Sequence, residues 1–591
     1  LAALALPISA SIDRASAFSR SREKSSAFAA QLSTAPMREN ERALEIAASG
    51  APARELASRA EESVDESVDE LIARGRAAFD AGRVADAQTI FESAVAKDQG
   101  SLRTRVWVLR CWLAQGRIND ALNTTDELAR GGAKGAEIDY LYGVAFALVA
   151  RKHIEQQNGG GLVEMNLKDA VAFLDKATKA DPARFSDAFA LLAESAWHAQ
   201  DLDVARAAAE KAVVVQPKSA DAALMLGRVA LAQYSAAAGY AATGPAGDKA
   251  PQADNDWQTA RDALEKAIAL LGDPKEPELA TKLAKTHIDL GHAFKWKEQN
   301  DEAAKHYGLA IAIDPSVANY QQLLGALGKE RFLAALEAGA KGFAEKNGAD
   351  TNADATLLWW LGWARFDQKQ YAKADEALSA AVKKSPSFFN SWYYIALSRY
   401  YQQNYDGAID ALRRNFEENT PDLVASIQTN AELNLKILDF LVGYCAQKQR
   451  ALDAAILSEI QANVAPQTSD YWNNTGLFYR DAGARLRKSE SADDKKLAAS
   501  YFEKAYASYS RALDLAPDNP SLLNDTAVML HYYLDRDADK AKAMYKKAAE
   551  RAEAELKRDD LNPDVRELYQ TALRDSKNNL EKLERGDKKE N

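Results

Sequence analysis

Cysteine is nearly absent: in 591 residues only Cys111 and Cys445 occur. Two distant thiols exclude a disulfide framework and a thiolate zinc site. Histidine is scarce too, with six in the chain. His287 and His292 are five apart, a spacing that turns them off a common helix face, with His306 on the next helix. His287 falls at an apolar packing position, so it reads as a core histidine and no metal site is expected. No apolar run approaches the ~18–20 residues that a membrane-spanning helix needs. Basic residues are outnumbered, 75 Lys plus Arg against 86 Asp plus Glu, giving a net charge of −11. That balance argues against nucleic acid as a partner, because phosphate binding needs clustered cations. Glycine and proline are modest at 30 and 16, so most of the chain is not of low complexity.

Catalytic motifs are missing as well. Gly244-Pro245-Ala246-Gly247-Asp248-Lys249 falls short of a phosphate-binding loop, which ends in Gly-Lys-Ser/Thr. Gly159-Gly160-Gly161 follows no expected strand. There is no H-E-x-x-H and no G-x-S-x-G, and carboxylates fall near Lys and Arg on outer helix faces, as in Asp262-Glu265-Lys266. Neither an enzyme nor a bound cofactor is expected from these residues.

What the chain does have begins with an apolar stretch, Leu1 to Ala10, ending in small residues after Pro7. It resembles the end of a secretory signal without its basic start, and implies a periplasmic or secreted protein. The alternative, an arbitrary Ala/Leu-rich edge, leaves a cytoplasmic protein. Residues 11–66 turn to Ser, Ala, Arg and Glu, with Pro36 and Pro52, and read as a mobile linker with an acidic end.

From about residue 67 to 549, helical patterns alternate with short polar turns at a period of 34. Leu358 and Trp392, Ala374 and Ala408, and Leu378 and Leu412 are each 34 apart. Pro182, Pro217, Pro315, Pro386, Pro466 and Pro517 punctuate the units, as expected of a residue that cannot continue a helix. Small residues at Gly362, Ala374 and Ala381 allow two helices to approach, and Leu358 and Leu378 fill the space between units. A helix pair of this kind cannot bury its apolar face alone, so neighbours must stack.

The pattern resembles the tetratricopeptide repeat, W-x2-L-G-x2-Y followed by A-x3-F, A and P. Trp472, Thr475, Gly476 and Tyr479 carry the first-helix signature, and Ala505, Tyr509, Ala512 and Pro517 the second. Leu290, Gly291 and Phe294 followed by Ala303, Tyr307, Ala310 and Pro315 match again. So do Gly75, Ala87, Phe91 and Ala94, and Gly143, Ala170, Leu174, Ala177 and Pro182. The resemblance implies an all-α, right-handed superhelical solenoid of about 12 antiparallel helix pairs. Stretched units are expected near 151–166, 234–256 and 485–498, the second as an irregular loop because of Gly239, Gly244, Pro245, Gly247 and Pro251. The unit from Ala318 to Phe343 lacks a clear second-helix signature. Capping helices over 550–583 and a charged tail over 584–591 complete the reading.

The same resemblance implies a function, a non-catalytic scaffold or adaptor that binds peptide segments or subunits in a concave groove. The alternative is an accessory or substrate-recognition region of a larger enzyme or envelope export complex. First-helix positions 2, 5, 9 and 12 line the groove in this family. Here they are Thr356, Trp359, Trp363 and Phe366 in one unit, and Asn390, Tyr393, Leu397 and Tyr400 in the next. Trp359, Trp363, Phe366, Tyr393 and Tyr400 are therefore expected to form an aromatic binding patch. His292, Lys295, Asn473 and Arg480 are secondary candidates for polar contact with a peptide. A chaperone-type carboxylate clamp is not expected, since Arg76 follows Gly75 where the clamp asparagine would stand.

Overall fold

The computed structural model describes residues 66–156, 160–243, 250–348, 354–386, 388 and 390–587. The expected signal remnant over 1–10 and the linker as far as Asp65 lie outside the described residues. Among the described residues the regular structure is helical throughout, with no strand. No helix among them is long and apolar enough to cross a membrane. The chain divides into two compact units at about Ala353.

Among the described residues the N-terminal unit contains six helix pairs: α1 (Val68–Asp80) with α2 (Val84–Lys97), α3 (Leu102–Ala114) with α4 (Ile118–Arg130), α5 (Ala136–Glu155) with α6 (Gly161–Ala180), α7 (Ala188–His198) with α8 (Leu202–Val215), α9 (Ala220–Thr243) with α10 (Ala250–Leu271), and α11 (Pro277–Trp296) with α12 (Asn300–Ile313). It ends in a short α13 (Tyr320–Leu327) and a long α14 (Lys329–Asn347). The described part of the C-terminal unit contains five pairs: α15 (Ala355–Asp367) with α16 (Tyr371–Lys384), α17 (Ser391–Tyr401) with α18 (Tyr405–Gln428), α19 (Ala431–Gln447) with α20 (Ala451–Val464), α21 (Ser469–Arg487) with α22 (Ala492–Leu515), and α23 (Pro520–Val528) with α24 (Ala538–Glu555). A last helix, α25 (Pro563–Arg585), closes that unit.

Three local devices repeat, and each has a sequence cause. First, every punctuating proline stands two residues beyond a helix: Pro182, Pro217, Pro315, Pro386, Pro466 and Pro517 follow the ends of α6, α8, α12, α16, α20 and α22. Second, in seven of the described pairs the turn holds a left-handed residue whose successor donates back across the helix end. Gln403 (φ 62°) is followed by Asn404, whose N–H donates to the Arg399 carbonyl at 2.9 Å; Gln449 (φ 56°) is followed by Arg450, donating to Cys445 at 2.9 Å. Third, six of the described first helices carry a glycine whose missing Cβ is filled by a large side chain of the second helix. Gly75 faces Phe91, Gly143 Leu174, Gly227 Leu264, Gly291 Tyr307, Gly362 Leu378 and Gly476 Tyr509, each at 2.5–2.8 Å from where a Cβ would lie. In two units an indole N–H also ties the pair to the preceding proline: Trp392 donates to the Pro386 carbonyl at 3.2 Å and Trp472 to that of Pro466 at 3.1 Å.

One expectation is corrected, and the unit without a second-helix signature is accounted for. The irregular loop over Tyr234–Asp256 is largely helix, since α9 runs to Thr243 and α10 starts at Ala250. The Ala-rich run Ala236-Ala237-Ala238 outweighs the ~1 kcal/mol helix cost of Gly239. Pro251 is tolerated because it sits in the first turn, where no intrahelical donor is needed; Gly244, Pro245 and Gly247 lie outside the described residues. In the unit from Ala318 to Phe343 the second helix is present and the first is cut short. α14 packs directly on α12 through small residues, Gly339 against Ile311 and Gly342 against Ala312. Those contacts replace the usual signature positions.

At the other end, α25 covers α23 through a polar network. Asn579 Nδ2 donates to Asn524 Oδ1 at 3.2 Å, and the Tyr532 hydroxyl donates to Asn579 Oδ1 at 3.0 Å. Leu580 and Leu583 of the same helix pack on the apolar cluster that includes Val528, Leu530 and Tyr545, so α25 is joined by polar and apolar contacts together.

Candidate functional site

The expected aromatic patch divides in two. Trp359, Trp363 and Tyr393 are only 3%, 6% and 6% exposed. Trp359 packs edge-on to Trp360 at 5.0 Å, Trp363 does the same to Trp360 at 5.7 Å, and the Tyr393 hydroxyl accepts from Asn434 Nδ2 at 3.0 Å. These three rings belong to the packing. Phe366 and Tyr400 are half-buried and join a different set of rings, along the edge where each first helix turns into its second.

That edge is a continuous aromatic ridge. Phe366, near the end of α15, meets Tyr371, the first residue of α16, at 5.7 Å. Tyr371 stacks on Tyr401 at 4.8 Å and 18°. Tyr401 and Tyr400 close α17; Tyr400 lies 5.8 Å from Tyr405, which opens α18. Tyr405 then meets Phe440 at 4.9 Å and Tyr444 at 5.4 Å, both on α19. The ridge crosses three successive pairs. Its outermost rings are Tyr401, 39% exposed, and Phe440, 45% exposed. Ring pairs of this geometry contribute about 0.5–1.5 kcal/mol each beyond area burial, so the ridge is self-ordered before any ligand arrives.

Its polar border is settled internally. Asp406 accepts from Arg450 and from the Tyr444 hydroxyl, the latter at 3.4 Å. Partial burial raises the phenol pKa of Tyr371 and, together with neighbouring tyrosines, that of Tyr401; burial and then Asp406 raise that of Tyr444. The Tyr444 proton is committed to Asp406, so the ridge offers chiefly flat apolar faces. Position-by-position reading missed Tyr371, Tyr401, Tyr405, Phe440 and Tyr444 as site residues. One signal was present, since Tyr371 and Tyr405 are 34 apart and occupy the same place in consecutive units.

The secondary candidates do not assemble with it. Asn473 and Arg480 lie on α21, where Arg480 Nε and Nη2 donate to Asp481 Oδ1 at 3.2 and 3.0 Å. His292 and Lys295 lie on α11 of the N-terminal unit; Lys295 Nζ donates to Asn300 Oδ1 at 3.1 Å. His292 sets its ring edge-on to Tyr307, and burial lowers its pKa.

The same helices hold a buried imidazole pair. His287 Nδ1 and His306 Nδ1 are 3.0 Å apart, and Phe294 stacks on His306 at 5.3 Å. Burial depresses both pKa values to about 4; the facing imidazole adds to this at His287, and at His306 Lys305 does so against Glu302. The neutral forms are the folded ones. Stability from this pair is therefore complete above the ordinary histidine pKa of 6.5 and is lost as pH falls from there through 4. After allowance for solvent access, about 2 kcal/mol is expected to disappear across that window. His306→Gln should flatten this part of the profile, read as the shift in urea midpoint between about pH 7 and pH 4.5 relative to the unaltered chain. An equal shift in both proteins would remove the pair from the account.

Both cysteines are buried, which pushes the Cys111 thiol up to about 11 and the Cys445 thiol up to about 12. They stay protonated and unreactive at neutral pH. Among the described residues no group of three or more His, Cys, Asp or Glu is placed to hold a metal.

Models of the tetratricopeptide repeat match residues 78–143, and again 190–242 and 361–417. The last match contains most of the ridge. No curated protein matches the chain. Similar solved structures include the tetratricopeptide-repeat domain of P58(IPK), at 16% identity over 73% of this chain and 98% of that one, with a TM-score of 0.16. The APC/C hetero-tetramer Cut9-Hcn1 is similar at 12% identity over 88% and 98%, with a TM-score of 0.24. TTC0263, a tetratricopeptide-repeat protein of Thermus thermophilus, is similar at 21% identity over 37% and 98%, with a TM-score of 0.16.

Proposed function

The chain is a tetratricopeptide-repeat protein, and from that premise we propose that it is a protein-interaction scaffold whose C-terminal unit holds a partner's peptide segment along the aromatic ridge. Repeat arrays of this family serve in general as surfaces for other proteins. The observation that carries the finer reading is the run of rings across three helix pairs, which includes the exposed Tyr401 and Phe440. Large rings with few rotatable bonds bind at low entropic cost, and they dominate interface energies when a partner covers them. The hydroxyl of the exposed Tyr401 can donate to a carbonyl of an extended chain.

Tyr401→Ala combined with Phe440→Ala tests it. Because these two rings are the exposed ones, helix content and melting temperature should stay close to those of the unaltered chain. Capture of the partner, followed by affinity purification and mass spectrometry, should fall more than tenfold, equivalent to about 2 kcal/mol or more. Undiminished capture by the folded variant would sink the ridge as the binding surface.

A further inference from the structure

Three histidines of the N-terminal unit gather on one helix pair: His287 and His292 on α11, and His306 on α12. His287 is 7% exposed and His306 is half-buried, with their Nδ1 atoms 3.0 Å apart. At that distance one Nδ1 carries a proton and donates it, and the other accepts. The two imidazoles lie within 25° of parallel, and Phe294 stacks on His306 at 5.3 Å and 8°. Turning the His306 ring outward would break both ring contacts together with the bridge.

The helices around the pair have little slack. A Cβ at Gly291 of α11 would stand 2.5 Å from the ring of Tyr307, the next residue after His306. α12 also carries α14: a Cβ at Gly308 would stand 3.2 Å from the Ala335 carbonyl oxygen, and one at Gly339 would stand 2.6 Å from Ile311. Tyr307 and Ile311 are fully buried. Close packing of this kind is not continuously deformable, so a shift of α12 that parts the imidazoles also disturbs its seat against α14.

Nothing beside the pair is placed to neutralise added protons. Lys305 and Glu302 of α12 act on His306 with opposite signs, and they pair with one another at 2.9 Å. On His287 the titratable neighbour that acts is His306. Among the described residues no charged group of any other element packed on α11 or α12 acts on either ring; Asp289 acts on His292. A first added proton can go to the outer nitrogen of the donating ring, which keeps the bridge and leaves a charge with little water around it. A second must take the accepting Nδ1, and two N–H groups then meet head to head. The closed pair therefore resists protons that separated imidazoles accept readily.

We propose that the His287–His306 pair is an acid-sensitive latch: uptake of two protons parts α12 from α11 and loosens α14 from α12, while α1 to α8 stay folded. Repeat units touch only their neighbours, so an opening of this kind remains local. The latch belongs to the N-terminal unit and does not depend on the ridge. The test is hydrogen exchange of the full chain, resolved by peptide mass spectrometry and expressed as protection factors, which removes the chemical rate's own pH dependence. Between about pH 6.5 and pH 5, protection over α11 to α14 should fall at least tenfold, with a slope above one proton per opening. Over the same window, α1 to α8 should keep theirs within about threefold. His287→Gln/His306→Gln leaves a hydrogen-bonding side chain at each place and should cut the slope below one proton, the remainder belonging to His292. Should that double variant fail to fold, His306→Gln alone decides, with a slope lower than in the unaltered chain by about half a proton or more. No fall over α11 to α14, an equal fall over α1 to α8, or an unchanged slope in the folded variant would each overturn the proposal.

Discussion

Replacing Trp359 and Trp363 together by alanine is expected to unfold the C-terminal unit, not to blunt a binding surface. Both rings are almost wholly buried, and with Trp360 and Tyr394 they fill the space around α15 and α17. Truncating a buried Trp costs about 3–5 kcal/mol through lost transfer energy and the cavity left behind. Two such losses in adjacent turns of one helix approach the whole stability of an ordinary domain, about 5–15 kcal/mol. Circular dichroism should show a large fall in helix content at room temperature, or a urea transition displaced to far lower concentration. A folded double variant with a normal transition would mean that these rings are dispensable to packing. It would return them to the list of binding residues. The contrast with Tyr401→Ala/Phe440→Ala is the informative one, because the same residue class is removed from the same unit with opposite expected effects.

That contrast marks how far the sequence could be read. Repeat period, helix ends and the close approach of paired helices follow from local chemistry. Proline stops a helix wherever it stands, and only glycine fits where a partner side chain reaches the backbone, so Pro386 and Gly362 are legible without coordinates. Exposure of a ring is not local. Trp359, Trp363 and Phe366 all occupy groove positions by count, yet the first two are covered by neighbouring rings and the third lies on the turn edge. Whether a position faces solvent depends on what the adjacent unit places over it, and α17 supplies Tyr394 within 6.2 Å of Trp359. Helix propensity misled at Tyr234–Asp256 because glycine and proline were read as breakers, when one sits in an alanine-rich helix and the other in a first turn.

The recurrent glycine contact yields the second large effect. Gly362 of α15 lies so close to α16 that a Cβ would stand 2.5 Å from Leu378 Cγ and 3.2 Å from the Leu378 backbone nitrogen. Leu378 is itself fully buried, so its side chain has no vacant space to retreat into. Gly362→Ala would normally gain a few tenths to about 1 kcal/mol by helix propensity. Here overpacking should reverse the sign and cost about 1–3 kcal/mol net. Leu378→Ala alone should cost about 2–5 kcal/mol, because it leaves a cavity between the helices. The double variant moves bulk from one helix to the other, and it should be more stable than the sum of the two losses allows by about 1 kcal/mol or more. Urea unfolding of the four proteins gives that coupling directly. Strict additivity would show that the helices relax apart when crowded, and that Gly362 is tolerated rather than required. Coupling of the expected sign would make the glycine–leucine contact what fixes the distance between α15 and α16. It would thereby also set the spacing at which Phe366 of one helix meets Tyr371 of the other to begin the ridge.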